Sequence, residues 1–338
     1  MLLAAVVAAL IINNLQLHLP GTLTQGEGVT SLAQLKTDRE LLFLCGTKQG
    51  SLWTFSFKDD GVQQHNKVQV TNGRYPIFSM AVDENDGTVF CGGSDRFVTV
   101  LAATHRDDNN HFIATELQRL GPHTGWVQDV FLASPNLLYS IGCNCIESWQ
   151  KQSDRKWKPG KRFVIESDVA MGCTLSSDLL CLACRKDTLY AGGVDGRIHA
   201  FRKDEHSAVA AHKGRVNALM TTTIRGIDSV LTASHDGWVY QWKMQPDDQT
   251  RLERVQAFQS QERNTAILQI RLDKNDTEGC FVVGTSRGTI LLLSDSMDLL
   301  QTFCLPEPVA ITAFLHVPDA KMVLVAHSLG LGAFHYSS

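Results

Sequence analysis

Leu231-Thr232-Ala233-Ser234-His235-Asp236-Gly237-Trp238-Val239-Tyr240-Gln241-Trp242 reads as two short strands joined by a tight turn. Asp-Gly is the turn signal, because glycine enters the left-handed backbone region without a Cβ penalty. The run behind it alternates with the two-residue period of a strand and closes on Trp242. Upstream, His212-Lys213-Gly214-Arg215-Val216 leads into a further apolar run, Val216 to Thr221.

The same phrase, a turn followed by an alternating run that ends on an aromatic or aliphatic anchor, is written seven times. The copies are Gln49-Gly50 to Phe55, Asp95-Arg96 to Leu101, Cys143-Asn144 to Trp149, Asp195-Gly196 to Phe201, Asp236-Gly237 to Trp242, Arg287-Gly288 to Leu293 and Leu329-Gly330 to His335. Measured between the second turn residues, they lie 46, 48, 52, 41, 51 and 42 residues apart. A strand repeat of roughly 40 to 45 residues marks a propeller blade, with longer intervals absorbed by loops. Each copy also follows paired apolar runs, such as Ile77 to Val82 with Val89 to Cys91, or Ile311 to His316 with Met322 to Ala326. The expected fold is all-β: a seven-bladed β-propeller of four-stranded antiparallel blades, a single domain over 1–338. The seventh copy leaves no sequence for its outermost strand, so Leu15 to Leu19 is expected to complete that blade and close the ring. Glycine fills five of the seven turn positions. Asn144 suits a left-handed conformation next best; Arg96 does not, so that turn differs in type or carries strain.

Two copies carry more than periodicity. The His212 to Trp242 segment, and Gly121-Pro122-His123-Thr124-Gly125-Trp126-Val127 ending at Trp149, closely resemble repeats of the WD-repeat β-propeller family. That resemblance implies a hydrogen-bonded structural tetrad of His212, Thr232, Asp236 and Trp242 that pins a loop to a blade. The second segment keeps His123 and Trp149 but has Cys143 where the Asp belongs, so its network is expected to be incomplete. Asp195 and Phe201 remain in the fourth copy without a clear His.

Hydrophobic content of 43% and charged content of 20% are ordinary for a globular chain, and a net charge of −4 gives no reason to expect a general polyanion binder. Nine cysteines sit mostly within apolar runs, as reduced, buried thiols do, which points to the cytoplasm or nucleus. The opening Met1 to Ile12 is apolar and uncharged, too short to span a bilayer and without a basic leader. It reads as a structural extension over residues 1–14 or as a targeting segment. An exported, enzymatic or sugar-binding propeller is the alternative that the second reading and the sequon at Asn275 leave open.

No catalytic, cofactor or metal constellation emerges. Cys181 and Cys184, with Cys173 upstream, lie three apart on a strand and face opposite sides. His105 and His111, and His199 and His206, read as exposed loop residues. No phosphate-binding glycine loop, dinucleotide fingerprint or Gly-x-Ser-x-Gly turn is present. One basic loop stands out: Lys151, Arg155, Lys156, Lys158, Lys161 and Arg162 oppose one acidic residue, Asp154, around an exposed-looking Trp157. It fits a solvated hairpin with Trp157 packed on the sheet better than a nucleic-acid site, and an acidic protein surface equally well.

The resemblance implies a non-catalytic scaffold or adaptor, a monomer within a larger complex, whose loop face holds a protein or peptide. Lys48, Tyr75, Arg96, Trp126, Arg215, His235 and Arg287 are the large or charged residues that the carry-over places there. Trp126 and Arg215 occupy equivalent slots, and aromatic and Arg anchors dominate interface energetics. A ubiquitin-ligase substrate receptor is a further family role, although Trp149 and Trp242 are not followed by its Asp and Arg docking signature.

Overall fold

The structure, a computed structural model, describes residues 27–37, 40–58, 61–71, 75–105, 112–165, 178–271 and 279–336. Seven antiparallel sheets follow one another along the chain, each a meander of consecutive strands. Six have four strands. The seventh, Ile311–Val317, Met322–His327 and Gly330–His335, has three among the described residues. The chain is thus all-β and seven-bladed, with a short 3-10 turn at Pro318–Ala320. Leu15 to Leu19, residues 1–14 and Asn275 lie outside the described residues. Close packing divides the chain into two compact units, one within Thr22–Leu182 and one within Ala183–Ser338.

Second strands are the most buried, and Thr88–Gly93, Thr188–Gly193 and Cys280–Thr285 are buried along their whole length. The cause is packing on both faces. Val89 and Cys91 join Leu42, Leu44 and Leu52 of sheet one, while Phe90 between them joins Val127, Val130 and Leu138 of sheet three. In the other unit, Phe281 and Val283 face Leu231, Ala233 and Val239, whereas Val282 faces Ile311, Val323 and Phe334. Each such apolar side chain contributes roughly 1.5–3 kcal/mol by leaving water. Fourth strands have one packed face only, and Glu205–Ala210 and Leu299–Cys304 alternate between exposed and half-buried residues.

First strands tie neighbouring sheets together through side chains. Ser79 Oγ donates to Asp129 at 2.6 Å, and the other Asp129 oxygen accepts the Leu182 N–H at 2.7 Å. Burial pushes the Asp129 carboxyl up to about 6 despite these bonds. Six first strands share a bulge just after their first residue, which leaves Thr30, Phe78, Gln128, Asn217, Thr265 or Thr312 outside the ladder. Freed in this way, Asn217 Nδ2 donates to Asn264 O at 2.6 Å and Thr265 to Gly284 O at 3.0 Å.

The turns before the third strands hold Gly50, Gly196, Gly237 and Gly288 at φ 77°, 77°, 85° and 84°. Arg96 adopts the same region at φ 70°, so its turn has the glycine geometry in a residue that pays a steric penalty for it. In sheet three the left-handed residue is Cys143, at φ 57°, and not Asn144. Gly142 pairs directly with Cys145 there, which shortens the loop to two residues and moves the strained position back by one. Asn144 instead donates its side-chain amide to Ile165 O at 2.9 Å.

A Cβ on Gly237 would lie 3.0 Å from Ser260 O and 3.2 Å from Glu262 O, whereas one on Gly226, at φ 79°, meets nothing within 4 Å. Gly226→Ala is therefore expected to cost about 1–2 kcal/mol for the left-handed backbone alone, and Gly237→Ala about 1 kcal/mol or more beyond that for the displaced carbonyls. Equal losses in urea unfolding would show that nothing clasps the Gly237 turn.

Candidate functional site

All four tetrad residues meet in sheet five. His212 Nδ1 donates to the Asp236 carboxylate at 3.2 Å, and its Nε2 accepts the Thr232 hydroxyl proton at 2.8 Å. Thr232 Oγ1 in turn accepts the Trp242 indole N–H at 3.0 Å. Asp236 also takes the backbone N–H groups of Lys213 (2.8 Å) and Trp238 (3.0 Å), so one carboxylate fixes the loop and the turn together. Thr232 is 0% exposed. A hydroxyl sealed in this way acts as a hydrogen-bond bridge, with no room for a substrate at its oxygen.

Sheet three builds the same bridge with a different acceptor. Ser140 Oγ donates to His123 Nε2 at 2.7 Å and accepts Trp149 Nε1–H at 2.8 Å. Where the expected network ends at Cys143, His123 Nδ1 instead donates to the backbone carbonyl of Arg96, 3.1 Å away in sheet two. The network is complete, and the left-handed Arg96 turn supplies its last member. Sheet four has no histidine at the position that His212 and His123 hold before a first strand; its His199 is buried within the third strand, Arg197–Arg202, with Nε2 3.4 Å from Asp195 and Nδ1 3.1 Å from His206 Nε2 on the fourth strand. Both histidines lie on strands rather than in loops, His199 buried and His206 exposed, and His206 stacks on Phe201 with centroids 4.5 Å apart.

A second kind of pin is absent from the motif reading. Glu27 accepts the Thr47 hydroxyl (2.8 Å), Trp53 Nε1–H (3.2 Å) and Lys67 Nζ (2.5 Å). Glu262 likewise accepts the hydroxyls of Thr285 (2.5 Å) and Thr289 (3.1 Å). Burial would raise the Glu27 carboxyl, but these donors outweigh it and leave the group lowered. The available signal was positional: a Glu two residues before a first strand, and a Thr ending the second.

Among the interaction candidates, Lys48, Arg96, Arg215 and Arg287 are exposed, Tyr75 is 43% exposed and Trp126 57%. Trp126 lies against Phe78, the bulge residue of sheet two, with centroids 5.9 Å apart. His235 and Arg287 come together in a cleft of about 840 Å³, where Arg263, unmarked by any motif, joins them. The basic loop behaves differently. Trp157 is only 2% exposed and packs edge-on against Phe90, centroids 5.1 Å apart, as the hairpin reading expects and a docking aromatic would not. Lys151 pairs with Asp83 and Asp86, and Arg162 lies by Glu147 and Cys145. Arg155, Lys156, Lys158 and Lys161 stay exposed, with Lys161 over the Phe163 ring. Among the described residues no cluster of His, Cys, Asp and Glu is arranged to hold a metal ion.

No protein-family model matches the chain, and no curated protein matches it. Among solved structures it is similar to the WD40 β-propeller domain of Doa1, at 15% identity over 92% of this chain and 93% of that one, with a TM-score of 0.69. At that identity the likeness establishes the fold, which is that of a WD40 β-propeller. Because 1604 chains match in structure, the fold by itself selects no partner.

Two outcomes are expected from the pins. Thr232→Val keeps the side-chain shape but leaves His212 and the Trp242 N–H unsatisfied, and should cost about 2–3 kcal/mol in urea unfolding. Burial also pushes the pKa of His123, His206, His212, His235, His316 and His327 below the ordinary value. Unfolded, these groups take up protons near pH 6.5, while the folded chain resists. The unfolded state then binds more protons, so stability is fully present above about pH 6.5 and falls as pH drops through the folded values. Asp129, held near 6, and Asp95, also raised by burial, act in the opposite sense. With six groups against two, the urea midpoint should be lower at pH 5.5 than at pH 7.5, and a His123→Gln/His212→Gln variant should show a shallower slope.

Proposed function

We propose that this chain is a non-catalytic protein-interaction scaffold that presents loop and turn residues to a protein or peptide partner. The carrying observation is a division of labour among its side chains. Residues of catalytic type, His212, Thr232 and Asp236, are spent on the frame, whereas Trp126 and Arg215 at corresponding loop positions, and Arg287 in a turn, stand exposed. Arg215 and Arg287 form no ion pair among the described residues. Exposed aromatic and arginine side chains on a rigid frame are the usual anchors of protein interfaces. The WD40 fold, a common interaction scaffold, supports the reading.

The protein acts as a monomer within a larger complex, in a reducing compartment such as the cytoplasm or nucleus. Cys45 and Cys91 support that placement: both are sealed in the core, and burial pushes the Cys91 thiol up to about 12. Neither needs a disulfide to be stable there. An overall charge of −4 argues against nucleic acid as the general partner.

Affinity purification of the intact chain, with identification of co-purifying proteins, tests the proposal. A Trp126→Ala/Arg215→Ala variant with unchanged circular dichroism is expected to lose at least one partner. Full retention by the folded variant would remove these two anchors.

A further inference from the structure

We infer that the cleft between sheets five and six binds the anionic side chains of an extended acidic peptide. This rests on the interaction-scaffold reading and names the chemistry of one partner site.

Its walls come from three short segments: the His235 to Gly237 turn, the connection from Gln259 to Arg263, and the Ser286-Arg287 turn. The volume of about 840 Å³ falls in the range of real ligand sites. Arg263 and Arg287 line it, both are exposed, and neither has an ion pair among the described residues. Arg215 stands behind His235, whose N–H donates to the Arg215 carbonyl at 3.0 Å. Two arginines therefore line one cleft, and the charge of a third, Arg215, acts on His235 at its edge.

Two carboxylates, Asp236 and Glu262, also line the cleft, and their oxygens are hydrogen-bonded to the frame. Asp236 is taken up by His212 and by the backbone N–H groups of Lys213 and Trp238. Glu262 is bound on one oxygen by Thr285 and on the other by Thr289. Held in this way, neither reaches across to an arginine. His235 reports the resulting field: burial lowers its pKa, and Arg263 and Arg215 lower it further, against a smaller opposing pull from Asp236. A planar guanidinium binds carboxylate or phosphate oxygens through paired N–H donors, so the shared ligand chemistry is an oxyanion. Gln259, Gln261 and Ser286 add neutral donors and acceptors beside the charges, which suits a peptide main chain.

The test uses the full chain and fluorescence anisotropy with three labelled nonapeptides. One carries three consecutive Glu, one a phosphoserine, and one Gln in place of every acidic residue; a single-stranded oligonucleotide serves as a fourth probe. At least one anionic peptide is expected to bind and the Gln peptide not to bind, with stronger binding of the Glu or the phosphoserine peptide identifying the natural source of the charge. Arg263→Gln/Arg287→Gln should weaken that binding about tenfold or more. Lys156→Ala/Lys158→Ala, which removes two exposed charges from the sheet-three hairpin, should leave it unchanged. Equal weakening by both variants, preference for the oligonucleotide, or indifference to the arginine changes would overturn the inference. Capture of cellular partners separates the two readings. If the arginine variant keeps every partner, the acidic site falls and the scaffold stands; if the intact chain captures none, the scaffold reading falls.

Discussion

A strand packed on both faces cannot carry a polar side chain unless that group finds a hydrogen-bond partner inside. Every second strand here is such a strand, and most contain a hydroxyl. Thr47, Ser140, Thr232 and Thr285 are each 0% exposed, and each is met by a residue that arrives from the loop before the first strand. In sheets three and five that residue is a histidine, in sheets one and six a glutamate. The variety of pins therefore follows from one demand. What the frame requires is an acceptor at the buried hydroxyl, and either an imidazole nitrogen or a carboxylate oxygen supplies it. Loop position and strand burial are linked through that single bond.

The blades were legible because their signal is local. A turn and the alternating strand after it lie within a dozen residues, and their chemistry is set by backbone geometry and sheet packing. The sheet-five tetrad was legible for a related reason: all four members are side chains of distinctive type. Sheet three was half legible. Its histidine and tryptophan are plain, but the acceptor that completes the network is a main-chain carbonyl from the preceding sheet, and no residue type marks a carbonyl. The partner of His199 on the fourth strand, His206, is brought near it only by strand pairing. Trp157 looks exposed on composition, since five of its near neighbours are basic, while the alternation of its strand turns it inward, as the hairpin reading has it.

The interaction candidates divide in the same way. Trp126, Arg215 and Arg287 could be placed by their offset from a first strand or a turn. Arg263 holds the same slot as Trp126 and Arg215, directly before a first strand, Asn264–Ile270, and its carbonyl accepts the Ser286 N–H as that of Arg215 accepts the His235 N–H; it went unmarked because the apolar run that signals this strand begins only at Ala266. Its importance depends on the fold bringing that slot beside two turns. A site assembled from three segments, each ordinary alone, has no linear signature. Its chemistry is equally non-local, since which side chains are left to meet a ligand depends on how the frame orients the carboxylates beside them.

The carbonyl of Arg96 under His123 has a consequence for how such a molecule can change. An acceptor on the main chain is present whatever side chain the position carries. The Asp of the family pattern could therefore give way to Cys143 without loosening the loop, and position 96 is free to vary so long as its backbone keeps the left-handed turn. Each such transfer, from side chain to peptide group, removes a letter from the motif while keeping the bond it stood for. A fold can in this way be kept while the letters of its motif are lost, and here the likeness in fold stands at 15% identity.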